Sequence, residues 1–244
     1  MSIAFFDVDG TLLPHPSLER RFFSKLLGHG KIPPTNYLHW ATQMVRLSAT
    51  NLATAPQWNK MYLRGMPASV LAQPELRQDR WMPEFFPPAI QRVWWHALRG
   101  EEIVLVTGTL APLAHIVKAA LERELLWRGV ETRIAVIATR LVTRNECWTG
   151  SVDGAPVFGE AKAVAAKNLA ALRGIPLLQC FAYGDHALDR AMLAAVGNPF
   201  AVNPSPNLRR IALQNGWQVL RWSRCPLRTA DARHALKWKG EAAR

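Results

Sequence analysis

The chain is poor in cysteine and in long apolar runs, and each shortage argues against a class of protein. Its 244 residues include three widely spaced cysteines, Cys147, Cys180 and Cys225. They indicate neither a disulfide framework nor a zinc site, so we expect a reducing, cytoplasmic compartment. The uncharged stretch from Ile103 to Val117 is too short to span a bilayer. We also expect no targeting segment, because the first apolar run lacks a basic flank and stops at Asp7.

Acidic residues are scarce relative to basic ones, with 18 Asp and Glu against 30 Lys and Arg. The C-terminal tail from Arg209 to Arg244 holds nine basic and two acidic residues, together with three tryptophans, Trp217, Trp222 and Trp238. Such a surface attracts anionic substrates or an anionic membrane, and a merely solvated basic face is the alternative. We see no nucleic-acid-binding motif, so we expect no specific nucleic acid partner.

Short apolar runs alternate with helical patterns along most of the chain. This alternation predicts an α/β fold, with a Rossmann-like three-layer α/β/α core built on a parallel sheet. Residues 139–158 are rich in turn-forming residues and are predicted to be a hairpin or an irregular loop. The predicted strands are Ile3–Phe6, Ile103–Val106, Ile134–Ala138, Cys180–Tyr183, Phe200–Pro204 and Trp217–Trp222.

A block without any strand signal interrupts this alternation after the first strand. From Ser17 to about Ala72 the apolar residues recur at helical spacing, in three stretches separated by Gly and Pro. A long helical insertion after a catalytic-looking strand is typical of a cap or lid. We therefore predict a core domain of residues 1–15 and 83–244, with a helical cap at residues 16–82.

Two carboxylates, Asp7 and Asp9, follow the first strand and lead into a turn at Gly10 and Thr11. Like charges this close repel and raise each other's pKa unless a cation neutralises them. The pattern predicts a hard divalent cation, Mg²⁺, with one carboxylate used for covalent chemistry and the other for proton transfer. The simpler alternative is a strand followed by an ordinary Asp-Gly turn.

Other polar groups follow later strands, and ligands of such folds bind beyond the carboxyl ends of the strands. The second strand ends in Thr107 and Gly108, and the fourth ends before Asp185 and Asp189. These two acids lie on one face if a helix begins there. Lys162, at the start of a predicted helix, can reach the same edge. Lys167, about 140° further round that helix, is the weaker candidate.

Four of these elements together resemble the haloacid dehalogenase superfamily of phosphohydrolases, over nearly the whole chain. The family motif D-x-D-G-T/S matches Asp7 to Thr11, and Thr107 matches the Ser or Thr that closes the second strand. Lys162 matches the motif lysine. The acidic motif G-D-x-x-x-D matches Gly184, Asp185 and Asp189. The helical insertion resembles the subgroup that contains phosphoserine phosphatase.

The resemblance implies a role for each motif residue. Asp7 is the implied nucleophile, and Asp9 the acid and base. Thr107, Gly108 and Lys162, with Asp9 and Gly10, are the implied phosphate-binding group. The implied Mg²⁺ ligands are Asp7, Asp9 through its backbone carbonyl, and Asp185, with Asp189 in support. Asp9 favours a phosphatase over a dehalogenase, because only the phosphatase has a leaving oxygen to protonate.

The sequence departs from the phosphoserine phosphatase pattern at two places. His186 stands where a Ser is common, and Pro14-His15-Pro16 replaces the segment with a Glu that reads the substrate's amino group. The nearest acid is Glu19, so we do not expect phosphoserine as the substrate. We predict a phosphatase for a small phosphorylated metabolite. The alternatives are a lipid-phosphate phosphatase at a membrane surface and a binding protein that has lost turnover.

Overall fold

Seven strands form one sheet in which a single edge strand runs antiparallel to the rest. The computed structural model describes residues 2–52, 54–73 and 83–224. The sheet order is β4-β3-β2-β1-β5-β6-β7, and only β4 is antiparallel to its neighbour. The strands are β1 Ile3–Phe6, β2 Glu102–Leu110, β3 Ala135–Arg144, β4 Cys147–Asp153, β5 Phe181–Gly184, β6 Asn198–Val202 and β7 Gln218–Leu220.

Helices of the described chain connect these strands and cover both faces of the sheet. They are α1 Leu18–Gly28, α2 Pro34–Asn51, α3 Ala55–Trp58, α4 Pro87–Leu98, α5 Ala111–Trp127, α6 Glu160–Arg173, α7 Arg190–Ala195 and α8 Pro206–Gln214. Short 3₁₀ turns lie at Met61–Leu63, Ala68–Ala72, Leu177–Gln179 and Ala187–Asp189. None of the described helices combines the length and apolar character needed to cross a bilayer.

The central strand β1 shows why the fold has three layers. Its four side chains are completely buried. Because successive side chains of a strand point to opposite faces, Ala4 and Phe6 belong to one apolar core while Ile3 and Phe5 belong to another. A strand buried on both faces needs a layer of helices on each side. The predicted Rossmann-like α/β/α core is therefore confirmed.

The third strand is longer than predicted. We expected a buried strand over Ile134–Ala138, but β3 continues to Arg144 and forms an antiparallel hairpin with β4. The second half of β3 is partly exposed, so a continuous apolar run is not needed there. Of the two structures predicted for residues 139–158, the hairpin is the one observed.

Between β1 and α4 the described residues form helices and 3₁₀ turns, as predicted. The last part of this insertion touches the β3–β4 hairpin: Gly65 N donates to Trp148 O at 2.8 Å, and Trp148 N donates to Met66 O at 2.9 Å. Residues 74–82, at the predicted end of the cap, lie outside the described residues. The predicted boundaries of the cap stay a prediction.

Candidate active site

The register of the sheet brings the ends of three strands together. Phe6 of β1 is paired with Leu105 of β2 on one side and with Tyr183 of β5 on the other. The residues that follow these positions therefore meet at one edge. Asp7 N continues the ladder by donating to Tyr183 O at 2.9 Å. The edge predicted from the sequence to carry the site is thus assembled by the three central strands.

A buried lysine joins two of the predicted acids. Lys162 Nζ lies 2.5 Å from Asp7 Oδ1 and 2.5 Å from Asp189 Oδ1, and all three side chains are buried. Lys162 reaches them from the first turn of α6. Lys167 is exposed on the same helix. Of the two lysines considered from the sequence, only Lys162 contacts these acids.

Asp7, Asp185 and Asp189 form a compact set of carboxylates. One oxygen from each lies within 4.8 Å of the others, and all three residues are buried. No helix begins at Asp185, so the condition for a shared helix face is not met. Instead Asp189 Oδ2 accepts hydrogen bonds from the backbone N–H groups of Asp185, at 3.2 Å, and His186, at 3.0 Å. This turn, rather than helical spacing, brings Asp185 and Asp189 together.

Gly10 leaves room for Asp185 beside the first strand. Its φ is +89°, a conformation that favours glycine, and a Cβ there would lie 2.1 Å from Asp185 Oδ2. The oxygen-only donor set suits a hard cation such as Mg²⁺ better than zinc or copper. The residues present therefore fit the predicted metal.

Asp9 is held by two hydrogen bonds that orient its carboxylate. Leu18 N, at the start of α1, donates to Asp9 Oδ1 at 2.7 Å, and the hydroxyl of Thr109 donates to Oδ2. Thr109 is not among the residues predicted from the sequence. The sequence does contain an indication of its role. Thr107 and Thr109 are two residues apart in β2, so their side chains lie on the same side of the strand.

The end of β2 provides the other predicted polar groups. Thr107 is buried, and its Oγ1 accepts a hydrogen bond from Thr109 N at 3.1 Å, so its own hydroxyl hydrogen is available to a ligand. A Cβ on Gly108 would lie 2.1 Å from the ring of Phe158, which precedes α6. This close packing holds the loop before Lys162 against the end of β2.

Burial and crowding shift the acidity of these groups. Burial, with the nearby Asp189 and Asp9 charges, raises the pKa of Asp7 to about 7 despite Lys162. Burial and the charges of Asp7 and Asp189 raise the pKa of Asp185 to about 9. Burial alone would lower the pKa of Lys162, but Asp189 and Asp7 raise it above its ordinary value. Burial also raises the pKa of Asp9. The site thus holds more carboxyl groups than one ammonium can neutralise.

Comparison with known proteins identifies the family. The model of the haloacid dehalogenase-like hydrolases matches residues 4–194, which include every motif residue described above. The chain belongs to this family. Among curated relatives of this hydrolase is the "Inhibition of morphological differentiation protein" of Streptomyces azureus, 31% identical over 91% of this chain and 78% of that protein. A "Probable phosphatase" of Mycobacterium tuberculosis is 29% identical over 91% of this chain and 75% of that protein.

Solved structures agree with the fold of the hydrolase. A Bordetella pertussis Tohama I protein with unknown function is 28% identical and has a TM-score of 0.70, with 90% of this chain and 97% of that chain covered. A phosphoserine phosphatase, solved as a phospho-aspartyl intermediate analogue, has a TM-score of 0.60 over 97% of this chain and 98% of that chain. At 19% identity the second likeness shows the fold alone.

The histidine of the Pro14-His15-Pro16 segment lies at the edge of the carboxylate set. His15 Nε2 lies 3.2 Å from Asp185 Oδ2. The loop is fixed by two arginines: Arg21 donates to the carbonyls of Pro14 and Pro16, and Arg224 Nη2 donates to His15 O at 2.9 Å. The contact joins residues 170 positions apart, so no local pattern in the sequence could have indicated it.

The acid nearest to the first motif is already paired. Glu19 Oε1 accepts hydrogen bonds from Lys60 Nζ at 2.6 Å and from Tyr62 OH at 3.0 Å. Lys60 is buried, so the pair is partly shielded from water. Two tryptophans of the insertion, Trp40 and Trp58, are each about two-fifths exposed.

Proposed function

We propose that this hydrolase is a Mg²⁺-dependent phosphomonoester phosphatase that works through an aspartyl phosphate on Asp7. The observation that carries the proposal is the geometry of Lys162, which bridges Asp7 and Asp189 at the strand edge where Asp185 also lies. The phosphatase names of relatives across most of the chain support the reaction class. Bound Mg²⁺, held by Asp7, Asp185 and the Asp9 carbonyl with Asp189 in support, would neutralise charge on the phosphoryl group.

The first half-reaction uses the two leading aspartates. A carboxylate oxygen of Asp7 attacks phosphorus, the bond from phosphorus to the leaving oxygen breaks, and Asp9 gives its proton to that oxygen. The raised pKa of Asp9, which burial produces, helps the carboxyl to carry this proton. The hydrogen bonds from Leu18 and Thr109 fix the direction in which Asp9 points.

The second half-reaction regenerates the enzyme. Asp9, now ionised, takes a proton from a water molecule, which attacks phosphorus and releases phosphate from Asp7. The Thr107 hydroxyl, the Gly108 N–H and the Lys162 ammonium stabilise the negative charge on the phosphoryl oxygens. A pure binding protein would need neither a leaving-group acid nor this lysine, so the presence of Asp9 and Lys162 supports turnover.

The proposed substrate is a small phosphorylated metabolite other than phosphoserine. Oε1 of Glu19 already pairs with the Lys60 ammonium and the Tyr62 hydroxyl, and this pairing argues against Glu19 as the partner of a substrate ammonium group. We propose the cytoplasm as the compartment, since Cys147 and Cys180 are free thiols. The helical insertion at residues 16–82 is proposed to act as the cap that closes over the bound substrate.

The test separates the roles of Asp7 and Asp9. Asp7→Asn should abolish turnover of any phosphomonoester. Asp9→Asn should slow alkyl phosphates on the order of 10²- to 10⁴-fold, because their leaving groups need a proton, and slow p-nitrophenyl phosphate less. Phosphoenzyme should then accumulate and appear as one added phosphoryl mass in intact-protein mass spectrometry after a single turnover.

The matched control is Asp153→Asn, an exposed aspartate on the hairpin whose loss should leave both rates unchanged. Equal losses for alkyl and aryl substrates in Asp9→Asn, with no added mass, would show that Asp9 is structural. Full activity of the wild-type protein in excess chelator would contradict the metal assignment.

A further inference from the structure

Helix α2 presents large apolar side chains to solvent. Leu38 is 67% exposed, Val45 73% and Leu52, just after the last turn, 73%. The three are seven residues apart, so they lie on one side of the helix. Tyr37 and Trp40 are also about two-fifths exposed. We call Leu38, Val45 and Leu52 the outer α2 face.

The opposite side of α2 is the side that packs. Asn36, about 180° round the helix from the outer α2 face, donates hydrogen bonds from Nδ2 to Tyr62 O at 3.2 Å and to Arg64 O at 2.8 Å. The 3₁₀ turn at Met61–Leu63 in turn lies against β4, where a Cβ on Gly150 would be 2.9 Å from Met61 Cα. The outer α2 face therefore points away from this layer of the molecule.

The chain around α2 carries charge of one sign only. From residue 20 to residue 74 there is no Asp or Glu at all. The same span holds seven cations, Arg20, Arg21, Lys25, Lys31, Arg46, Lys60 and Arg64. Lys31 and Arg46 are exposed, and Arg46 directly follows Val45. The apolar side chains thus belong to a stretch of chain that carries exposed cations and no acid. Lys60, which is buried and paired with Glu19, adds no net charge to this surface.

We propose that the outer α2 face docks the protein on an anionic lipid surface. An apolar stripe flanked by cations and by Tyr and Trp is the pattern of a helix that lies in the headgroup region. Each cation near such a surface adds attraction that salt screens. The inference goes beyond the proposed phosphatase activity and does not depend on it.

A second copy of the chain fits this surface less well. Two copies that met through it would bring the exposed cations Lys31 and Arg46 of both copies together, and residues 20–74 supply no acid to pair with them. The surface area that three side chains on a five-turn helix can bury is also smaller than the roughly 800 Å² per partner that a specific interface usually buries. A bilayer supplies the opposite charge and requires no shape complementarity.

The experiment measures sedimentation of the full chain with lipid vesicles. We expect binding to phosphatidylcholine vesicles that contain about 30% phosphatidylserine, weak binding without it, and a steep loss with added salt. Replacing the outer α2 face by Leu38→Ala, Val45→Ala and Leu52→Ala should lower the partition coefficient about tenfold or more. Turnover of a soluble phosphomonoester and the circular dichroism spectrum should stay unchanged.

The matched control removes three equally exposed leucines outside the cap, by Leu172→Ala, Leu178→Ala and Leu213→Ala. This control should bind vesicles as the wild type does. The proposal is overturned if the anionic vesicles are not bound at low salt or if the control loses as much binding as the α2 variant. It is also overturned if the α2 variant keeps its binding and neutralising the basic residues of 228–244 removes it. The same holds if sedimentation equilibrium shows that the α2 variant merely converts a dimer to a monomer.

Discussion

Replacing Lys162 by methionine tests the electrostatics of the site directly. Its ammonium, buried with an exposure of 3%, is shared between Asp7 and Asp189 at 2.5 Å each. Lys162→Met keeps the length and packing of the side chain but leaves both carboxylates buried without a cation. Removing one partner of a buried ion pair costs about 3–5 kcal/mol of the free energy of unfolding. For a chain of this size that corresponds to a fall in Tm of about 10 °C.

The loss should depend on pH in a defined direction. The pKa of Asp7 is already raised to about 7, mainly by burial, and without the ammonium it rises further. A carboxyl whose pKa is raised on folding stabilises the fold when protonated, so stability falls as pH rises through the raised value. Lys162→Met should therefore be most destabilised near pH 8 and much less near pH 5. Added Mg²⁺ should restore part of the loss because it supplies the missing positive charge.

The assay is thermal unfolding followed by circular dichroism at both pH values, with and without Mg²⁺. Lys167→Met is the matched control, since Lys167 is exposed on the same helix and should change stability by less than about 0.5 kcal/mol. Wild-type stability of Lys162→Met at pH 8, or an equal loss at both pH values, would refute the reasoning. Turnover of Lys162→Met should be lost under every condition.

Two further predictions concern the metal. Mg²⁺ should bind more tightly as pH rises through about 7 and about 9, the raised pKa values of Asp7 and Asp185, because both must lose protons to act as ligands. Calorimetric titration in two buffers of different ionisation enthalpy counts the protons released, and an affinity independent of pH would contradict this. Gly10→Ala should weaken Mg²⁺ binding about tenfold or more, because its Cβ would lie 2.1 Å from Asp185 Oδ2. Gly129→Ala, with a similar φ of +81° and open space, should leave Mg²⁺ binding unchanged if the close approach to Asp185 is the cause.

Much of the site could be predicted because its residues follow strands that the sequence marks clearly. Asp7, Thr107 and Asp185 each come after a short apolar run, and parallel strands place such positions at one edge. Lys162 could be placed because it opens a helix that returns to the same edge. That these groups share one edge followed from the order of strands and motifs, without knowledge of the cap.

What the sequence could not predict depends on how distant segments dock. The contact of His15 with Asp185 and the bond from Arg224 to the His15 carbonyl each join opposite ends of the chain. The pairing of Glu19 with Lys60 depends on the packing of α1 on the 3₁₀ turn that follows α3. The spacing of apolar residues along the sequence does not indicate such packing. The attraction of the basic tail to anionic substrates or membranes was predicted from composition alone. Its residues 225–244 lie outside the described part of the chain, so their role stays a prediction.

The hydrogen bonds between the insertion and the β3–β4 hairpin have a consequence for solubility. Strand β4 is the last strand on its side of the sheet, and an uncovered edge strand is a template for pairing with another chain. Here Gly65 and Met66 bond to the backbone of Trp148, and Pro67 forms a bridge with Cys147, so the insertion caps the edge as a short extra strand would. Shortening the insertion would therefore uncover this edge. Such a truncated protein would gain an aggregation-prone strand.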